Sequence, residues 1–213
     1  MQNTFKIDSA YNNLIKLKVT PGHFATSSSH INYMIDLTTL KARASEAKAV
    51  AKSLASDYLA TTVVDAIVCM DGTDVIGAYL ADELTNSGIM CMNQHQTIYI
   101  TTPEQNSLGQ LLFKDNLIPM IKGKHILLLL ATATTGKTVD QALECIEYYG
   151  GIVEGISAIF SATDEVKNIP VHSIFHAKDI EGYQSYNSHE CPLCKKGQKL
   201  DAIISAGGFQ VIQ

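Results

Sequence analysis

Residues 131–138 combine threonine hydroxyls, a glycine and a lysine between an apolar run and a helical pattern. The apolar run at 125–130 predicts a buried strand, and the apolar spacing after Thr138 predicts an amphipathic helix. In such a unit, successive backbone N–H groups and the positive end of the helix dipole bind a phosphate. Gly136 would let the backbone approach that anion closely. The predicted phosphate-binding residues are Thr134, Thr135, Gly136, Lys137 and Thr138.

Two other interpretations of this loop stay open. Residues 131–138 match a relaxed nucleotide-binding pattern, A-x-x-x-x-G-K-T, with Lys137 placed for the β- and γ-phosphates and Thr138 for Mg²⁺. Ala131 replaces its first glycine, and the strand at 156–160 does not end in the aspartate that would hold the metal. Alternatively, this is a plain strand-to-helix connection in which Thr138 and Gln141 form a capping box.

Alternating strand and helix patterns position the loop. Apolar spacing predicts helices at 39–60, 75–84 and from Thr138 to the glycines at 150–151. Apolar and β-branched runs predict strands at 63–70, 96–100, 125–130, 155–160 and 171–175. The polar stretch 101–110 has no periodicity and is predicted to be a mobile loop. This order is typical of an α/β protein with a doubly wound, mainly parallel sheet flanked by helices.

Composition favours a single domain. The chain has 213 residues, 46% hydrophobic and 17% charged, with a net charge of -5 and no run of basic residues. A nucleic-acid partner is therefore disfavoured. The longest apolar run, Ile126 to Ala131, is too short for a membrane span or a signal sequence, so we expect a cytoplasmic protein without a membrane partner. The five cysteines are expected to be mostly reduced thiols.

Three segments resemble the type I phosphoribosyltransferases, and orotate phosphoribosyltransferase most of all. Gly22-His23-Phe24 with SSSHINY at 27–33 is similar to that family's G-x-F-x-x-x-S-G-x-H-S-x-x-Y stretch. Residues 134–138 are similar to its T-T-G-x-[ST] loop, which holds the 5-phosphate of phosphoribosyl pyrophosphate (PRPP). The run CPLCKKG at 191–197 is similar to the C-P-L-C-x-x-G tail of one branch. These segments keep their order over nearly the whole chain.

The resemblance implies a single phosphoribosyltransferase domain, with a core at 39–175 and a small hood formed by 1–38 and 176–213. It implies transfer of the 5-phosphoribosyl group from PRPP to orotate or a related base, with release of pyrophosphate, Mg²⁺ as cofactor and a homodimer as assembly. It also places a flexible catalytic loop at 101–109. The implied pyrophosphate loop is Asp71, Gly72, Thr73 and Asp74, and the implied base and hood residues are Phe24, Ser27 and Ser28.

Several positions depart from that family. Its two acidic residues before the phosphate loop, which contact the ribose hydroxyls directly or through Mg²⁺, are Leu130 and Ala131 here. The stretch 101–109 has no basic residue, and the nearest cation to the place of the family's paired arginines is Lys114. No catalytic residue is assigned. A non-catalytic relative that binds a phosphorylated ribose or nucleotide is therefore the alternative function.

Cys191 and Cys194 have the C-x-x-C spacing of one of the two ligand pairs of a zinc site, but the sequence has no second such pair. His189 with His172 or His176 would complete a site if the fold brought them there. A capped turn or a redox-sensitive pair is the alternative. No metal ligand is assigned, and the choice between metal and disulfide stays open.

Overall fold

The computed structural model describes residues 4–27, 29–86, 88, 91–94, 96–134, 136–205 and 207–212, so the predicted site residues Ser28 and Thr135 lie outside the described residues. The strands are β1 (Phe5–Asp8), β2 (Lys16–Ala25), β3 (Ser29–Asp36), β4 (Ala66–Cys69), β5 (Tyr99–Thr101), β6 (Glu104–Gln105), β7 (Leu111–Leu112), β8 (His125–Ala133), β9 (Ile152–Ser161), β10 (Glu165–Val166), β11 (Ile169–His176), β12 (Ser185–Asn187), β13 (Ala202–Ser205) and β14 (Gly208–Val211). The α-helices are α1 (Thr38–Ala42), α2 (Ala44–Ala55), α3 (Asp74–Asn86), α4 (Lys137–Tyr148) and α5 (Pro192–Lys195). Single turns of 3-10 helix lie at Ile118–Met120 and Ala177–Asp179.

The core sheet has six strands in the order β10-β11-β9-β8-β4-β5, and neighbouring strands run parallel except for β10 and β11. Side chains of the central strand β8 enter two core clusters in alternation: Leu127 and Leu129 pack with α2 and α3, whereas Leu128 and Leu130 pack with α4. Because helices cover both faces of the sheet, the side chains on both sides of β8 are buried, which explains why its apolar run is unbroken. The predicted α/β class with a mainly parallel sheet is confirmed.

A second six-stranded sheet combines strands from the N-terminal and C-terminal segments. Its order is β12-β3-β2-β13-β14, with β1 also paired to β2, and we call it the hood. The strands β2 and β3 are antiparallel, whereas β13 runs parallel to β2 although almost the whole core separates them in sequence. The hood has a small apolar cluster of its own, formed by Phe24, Ile31, Met34 and Ala202.

Three local predictions change. The single helix expected at 39–60 is divided, because Arg43 has extended backbone (φ -89°, ψ 115°) between α1 and α2. The capping box of Thr138 and Gln141 is wrong, since Gly136 is the N-cap of α4 and Thr138 already lies in its first turn. The stretch 101–110, expected as a loop, contains the short strand β6, which pairs antiparallel with β7 directly after this stretch.

In the part of the chain that the structure describes, none of the helices has the length and apolar character needed to cross a bilayer.

Candidate functional site

A cleft of about 760 Å³ lies where the hood faces the carboxyl ends of β4 and β8. Ligands of open α/β sheets collect at this edge because the loops that follow parallel strands converge there. The core contributes Met70, Asp71, Ala131, Thr134, Gly136 and Thr138 to the walls, and the hood contributes Thr26, Ser27, Ile203 and Ile204. The β6–β7 pair adds Gln105 and Leu111. Two of the predicted loops and part of the hood thus meet in one cavity.

The predicted phosphate loop forms one wall of the cleft at the N-terminus of α4. Gly136 has a left-handed φ of 74°, which favours glycine, and its carbonyl accepts the first helical hydrogen bond from the N–H of Asp140 at 2.8 Å. The free N–H groups of the first turn and the helix dipole make this end suitable for an anion. Thr134 and Thr138 also line the cleft, whereas Lys137 is exposed and is not among the lining residues.

The predicted pyrophosphate loop forms the facing wall. Asp71 and Gly72 both have positive φ, 56° and 73°, so the chain turns sharply after β4. The Asp71 carbonyl accepts a hydrogen bond from Lys41 Nζ at 2.6 Å, and Lys41 itself lines the cleft. Lys41 therefore brings a positive charge that sequence reasoning missed, since nothing in the local spacing of α1 marks it.

The carboxyl group of Asp71 reaches across to β8, where the backbone N–H groups of Ala131 and Thr132 donate to it. Burial raises the pKa of Asp71, while the Lys41 ammonium and these two N–H groups act in the opposite direction. The loop after β4 thus places a carboxyl group next to Ala131, one of the two positions where the resemblance led us to expect an acidic residue.

The other two residues of the predicted pyrophosphate loop serve its fold. Thr73 is fully buried, and its hydroxyl donates to the carbonyl oxygens of Met70 at 2.8 Å and Leu129 at 3.2 Å. Asp74 begins α3 and accepts a hydrogen bond from the hydroxyl of Thr102 at 2.6 Å. These contacts tie the loop to β8 and to the segment after β5.

The two positions of the missing acidic pair face opposite sides of the sheet. Leu130 has no exposed surface and packs in the core beneath α4, whereas Ala131 is 5% exposed and lines the cleft. Of the two positions, only 131 is among the residues that line the cleft, and Ala131 also packs in the core cluster with α2 and α3. Asp36 and Asp71 are the acidic residues among the described residues of the lining. Carboxylate and hydroxyl oxygens of this kind suit Mg²⁺, so the donor set fits the cofactor that the resemblance implies.

The predicted hood residues divide in the same way. Ser27 lines the cleft. Phe24 does not line it: this side chain is 1% exposed and packs in the hood's apolar cluster, so it stabilises the hood and is not placed to contact a base. On the other side, Lys114 forms an exposed ion pair with Glu104 of β6 at 2.7 Å and is not among the lining residues. Lys41, and not Lys114, is among the residues that line the cleft.

The nucleotide-binding interpretation of 131–138 does not fit the structure. Residues 131–133 belong to β8, so only three residues separate this strand from α4. A connection of this length cannot wrap around two phosphates as the longer glycine-rich nucleotide loop does.

The cysteine pair has partners other than the expected ones. His172 lies 3.5 Å from the carboxylate of Asp57, and the His176 ring lies near the Ser173 hydroxyl. The side chains that meet Cys191 and Cys194 are His23 and His30, at the far end of the sequence.

Comparison with known proteins adds the following. No family model matches the chain. Over 78 residues the chain is 32% identical to the orotate phosphoribosyltransferase of Caldanaerobacter subterraneus subsp. tengcongensis, a stretch that covers 36% of this chain and 39% of that protein. The match therefore spans well under half of the relative.

Solved structures share the fold over more of the chain. Orotate phosphoribosyltransferase of Mycobacterium tuberculosis superposes with a TM-score of 0.51 and 13% identity, covering 76% of this chain and 91% of that one. UMP synthase of Leishmania donovani superposes with a TM-score of 0.53 and 18% identity, covering 75% of this chain and 34% of that one. At these identities the likeness is one of fold.

Proposed function

Because the chain has the fold of the type I phosphoribosyltransferases, we propose that it transfers the 5-phosphoribosyl group from PRPP to orotate or a related base. The observation that carries the proposal is the cleft itself, in which an anion-binding helix end faces a sharply turned loop with a lysine and a carboxylate. PRPP has a phosphate at one end and a pyrophosphate at the other, so two facing anion sites suit it. The orotate relative supports the choice of base.

The 5-phosphate is assigned to the N-terminus of α4. Backbone N–H groups of its first turn and the hydroxyls of Thr134 and Thr138 would donate to the phosphate oxygens. These groups carry no formal charge, so they fix the position of the ribose without competing for the metal.

The pyrophosphate is assigned to the loop at Asp71 and Gly72. The bond from ribose C1′ to the pyrophosphate oxygen breaks as the bond from the base nitrogen to C1′ forms, and that nitrogen gives up its proton. Negative charge grows on the departing pyrophosphate, and the Lys41 ammonium beside this loop would stabilise it. The chain's main contribution is to position both reactants and to neutralise charge, without a nucleophile of its own.

Mg²⁺, when bound, would neutralise part of the pyrophosphate charge. Asp71 is the residue assigned to hold it, since its carboxyl group lies in the cleft next to Ala131. The acceptor base is assigned to the space under the hood, where Ser27 offers a hydrogen-bonding side chain and Ile204 an apolar surface.

Calorimetric titration with PRPP and with ribose 5-phosphate, each with and without Mg²⁺, tests this assignment. We expect PRPP to bind more tightly in the presence of Mg²⁺. In Asp71→Asn that increase should be lost while ribose 5-phosphate binds as before, because the phosphate loop is untouched. Asp82→Asn is the matched control, since it removes the same charge from an exposed position on α3 outside the cleft lining.

Failure of the wild-type protein to bind PRPP with Mg²⁺ would overturn the proposal. Binding of PRPP without turnover of orotate or another base would select the alternative, a non-catalytic protein that binds a phosphorylated ribose.

A further inference from the structure

We propose that His23, His30, Cys191 and Cys194 bind one zinc ion, which fastens the C-terminal segment to the hood. The four side chains come from β2, β3 and the turn around α5, and each offers one ligand atom. All four of these atoms lie within 4.8 Å of one another. Two thiolates with two imidazoles form one of the usual ligand sets of structural zinc.

The distances between the ligand atoms suit a tetrahedron. His23 Nε2 lies 3.1 Å from His30 Nδ1, 3.4 Å from Cys191 Sγ and 3.6 Å from Cys194 Sγ. Cys194 Sγ lies 3.3 Å from His30 Nδ1. With Zn–N near ~2.0–2.1 Å and Zn–S near ~2.3 Å, tetrahedral coordination sets these edges at about 3.3–3.8 Å. These four separations differ from those edges by a few tenths of an ångström, and the other two lie within 4.8 Å, so a small adjustment of the side chains would admit the ion.

His23 is already oriented as a ligand. Its Nδ1 lies 2.9 Å from the carbonyl oxygen of Gln198, which can only accept a hydrogen bond, so Nδ1 carries the proton. The lone pair of Nε2 is therefore directed at the other three ligand atoms. In zinc-binding histidines, a hydrogen bond from the ring nitrogen that does not bind the metal fixes the tautomer and the ring orientation.

The backbone around His23 is shaped for this position. The pairing of β2 with β3 shifts register between Pro21 and Phe24. This bulge takes His23 out of the regular alternation of side chains between the two faces of the sheet. The Asp201 carboxylate accepts a hydrogen bond from the N–H of His23 at 2.8 Å, and the N–H of Asp201 donates to the His23 carbonyl at 2.7 Å. A Cβ at Gly22 would lie 2.6 Å from the Phe24 ring, so the bulge requires glycine there.

The cysteines lie on one tight turn. Lys195 N–H donates to the Cys191 carbonyl, and Gly197 N–H donates to the Cys194 carbonyl, so both thiols project from a single short helical turn. Cys191 is 1% exposed and Cys194 is exposed, which leaves one side of the cluster open for the ion to enter.

The C-terminal part of the hood needs such a fastening because, among the described residues, β13 packs only in the small apolar cluster around Ala202, whereas β2 also enters the main core through Leu17 and Val19. Small units that cannot bury enough apolar surface are commonly held by a metal or a disulfide. Four protein ligands leave no open coordination position, which identifies the site as structural rather than catalytic. Its position still matters for the cleft, because the segment it would hold continues into β13, which supplies Ile203 and Ile204 to the lining.

The test measures zinc in the protein purified under reducing conditions, followed by replacement with Co²⁺. We expect one equivalent of zinc per chain. The Co²⁺ form should show the d–d absorption of a tetrahedral site and a thiolate charge-transfer band. Cys194→Ser and His30→Ala alter partly exposed ligands, so the fold should survive. Each should weaken zinc binding at least tenfold, and Cys194→Ser should lose about half of the charge-transfer intensity because one of two thiolates is gone.

His189→Ala and Cys145→Ser are the controls, since they remove the same residue types outside the cluster. Both should keep the full zinc content. Reduced protein that binds no zinc on titration would overturn the proposal, as would a native disulfide between Cys191 and Cys194. Loss of zinc in His189→Ala with full retention in His30→Ala would also overturn it.

Discussion

Replacement of Gly136 by alanine separates the phosphate-binding role of the α4 N-terminus from its role in the fold. Gly136 has a φ of 74°, and a residue with a Cβ loses about 1–2 kcal/mol in this left-handed region. A Cβ at this position would meet nothing closer than Val166 Cγ2 at 3.7 Å, which is an ordinary contact. The cost of Gly136→Ala is therefore conformational and does not come from a clash.

Gly123→Ala provides the matched control. Gly123 has a φ of 69°, its Cβ would meet nothing within 4 Å, and it precedes β8 at the end of the sheet opposite the cleft. Both variants are expected to lose about 1–2 kcal/mol in the free energy of unfolding. In Gly136→Ala, rotation of the backbone away from the left-handed φ at residue 136 would also move the N–H groups of the first turn of α4 away from the bound phosphate.

The loss of one hydrogen bond to a charged group is worth about 1.5–3 kcal/mol. Since 1.4 kcal/mol is about tenfold in affinity, Gly136→Ala should bind ribose 5-phosphate about 10- to 100-fold more weakly, and Gly123→Ala should bind it as the wild type does. Calorimetry with ribose 5-phosphate, with urea unfolding in parallel, measures both quantities. Unchanged affinity in a folded Gly136→Ala variant that shows the expected stability loss would refute the assignment of the phosphate to this loop.

Three further predictions follow from the same geometry. Leu130→Glu places a charge in the closed core and should lower the free energy of unfolding by about 3–5 kcal/mol. Ala131→Asp adds a charge at the cleft lining, so it should destabilise the fold less and should make PRPP binding more dependent on Mg²⁺. Urea unfolding and calorimetry compare the two variants, and equal destabilisation would contradict the different surroundings of the two positions. Burial raises the pKa of Asp71 in the folded protein above the ordinary carboxyl pKa. Its contribution to stability is therefore fully present at a pH below the ordinary pKa and is lost as the pH rises through the raised pKa of the folded protein. The free energy of unfolding of the wild type minus that of Asp71→Asn should fall over this pH range, and a rise would show that the pKa is lowered instead. We propose that the chain forms the homodimer that the resemblance implies: sedimentation velocity at micromolar concentration should give twice the chain mass of 23.1 kDa, and a monomer would contradict this.

The core of the fold could be predicted because its signals are local. The apolar run of β8 and the spacing of apolar residues along α4 each require only neighbours in sequence, and both elements lie where their patterns place them. The loop between them was predicted as a phosphate site for the same reason. The error at its first turn arose because a glycine with positive φ, rather than a threonine side chain, begins the helix.

The hood and its contacts could not be predicted in this way. The strand β2 has a bulge that breaks the alternation of its buried residues, and it pairs with β13 from the other end of the chain. Lys41 enters the cleft only because the loop after β4 turns towards α1. The partners of Cys191 depend on the same closure, since His23 is 168 residues away in sequence.

The most direct test of the central claim is an assay of orotate consumption by the wild-type protein with PRPP and Mg²⁺, with released pyrophosphate measured in the same samples. We predict that orotate is consumed only when PRPP is present, with one pyrophosphate released for each orotate, and that Lys41→Met slows the reaction without abolishing ribose 5-phosphate binding. Absence of orotate consumption at saturating PRPP and Mg²⁺, in protein that binds ribose 5-phosphate, would contradict the proposal of an orotate phosphoribosyltransferase.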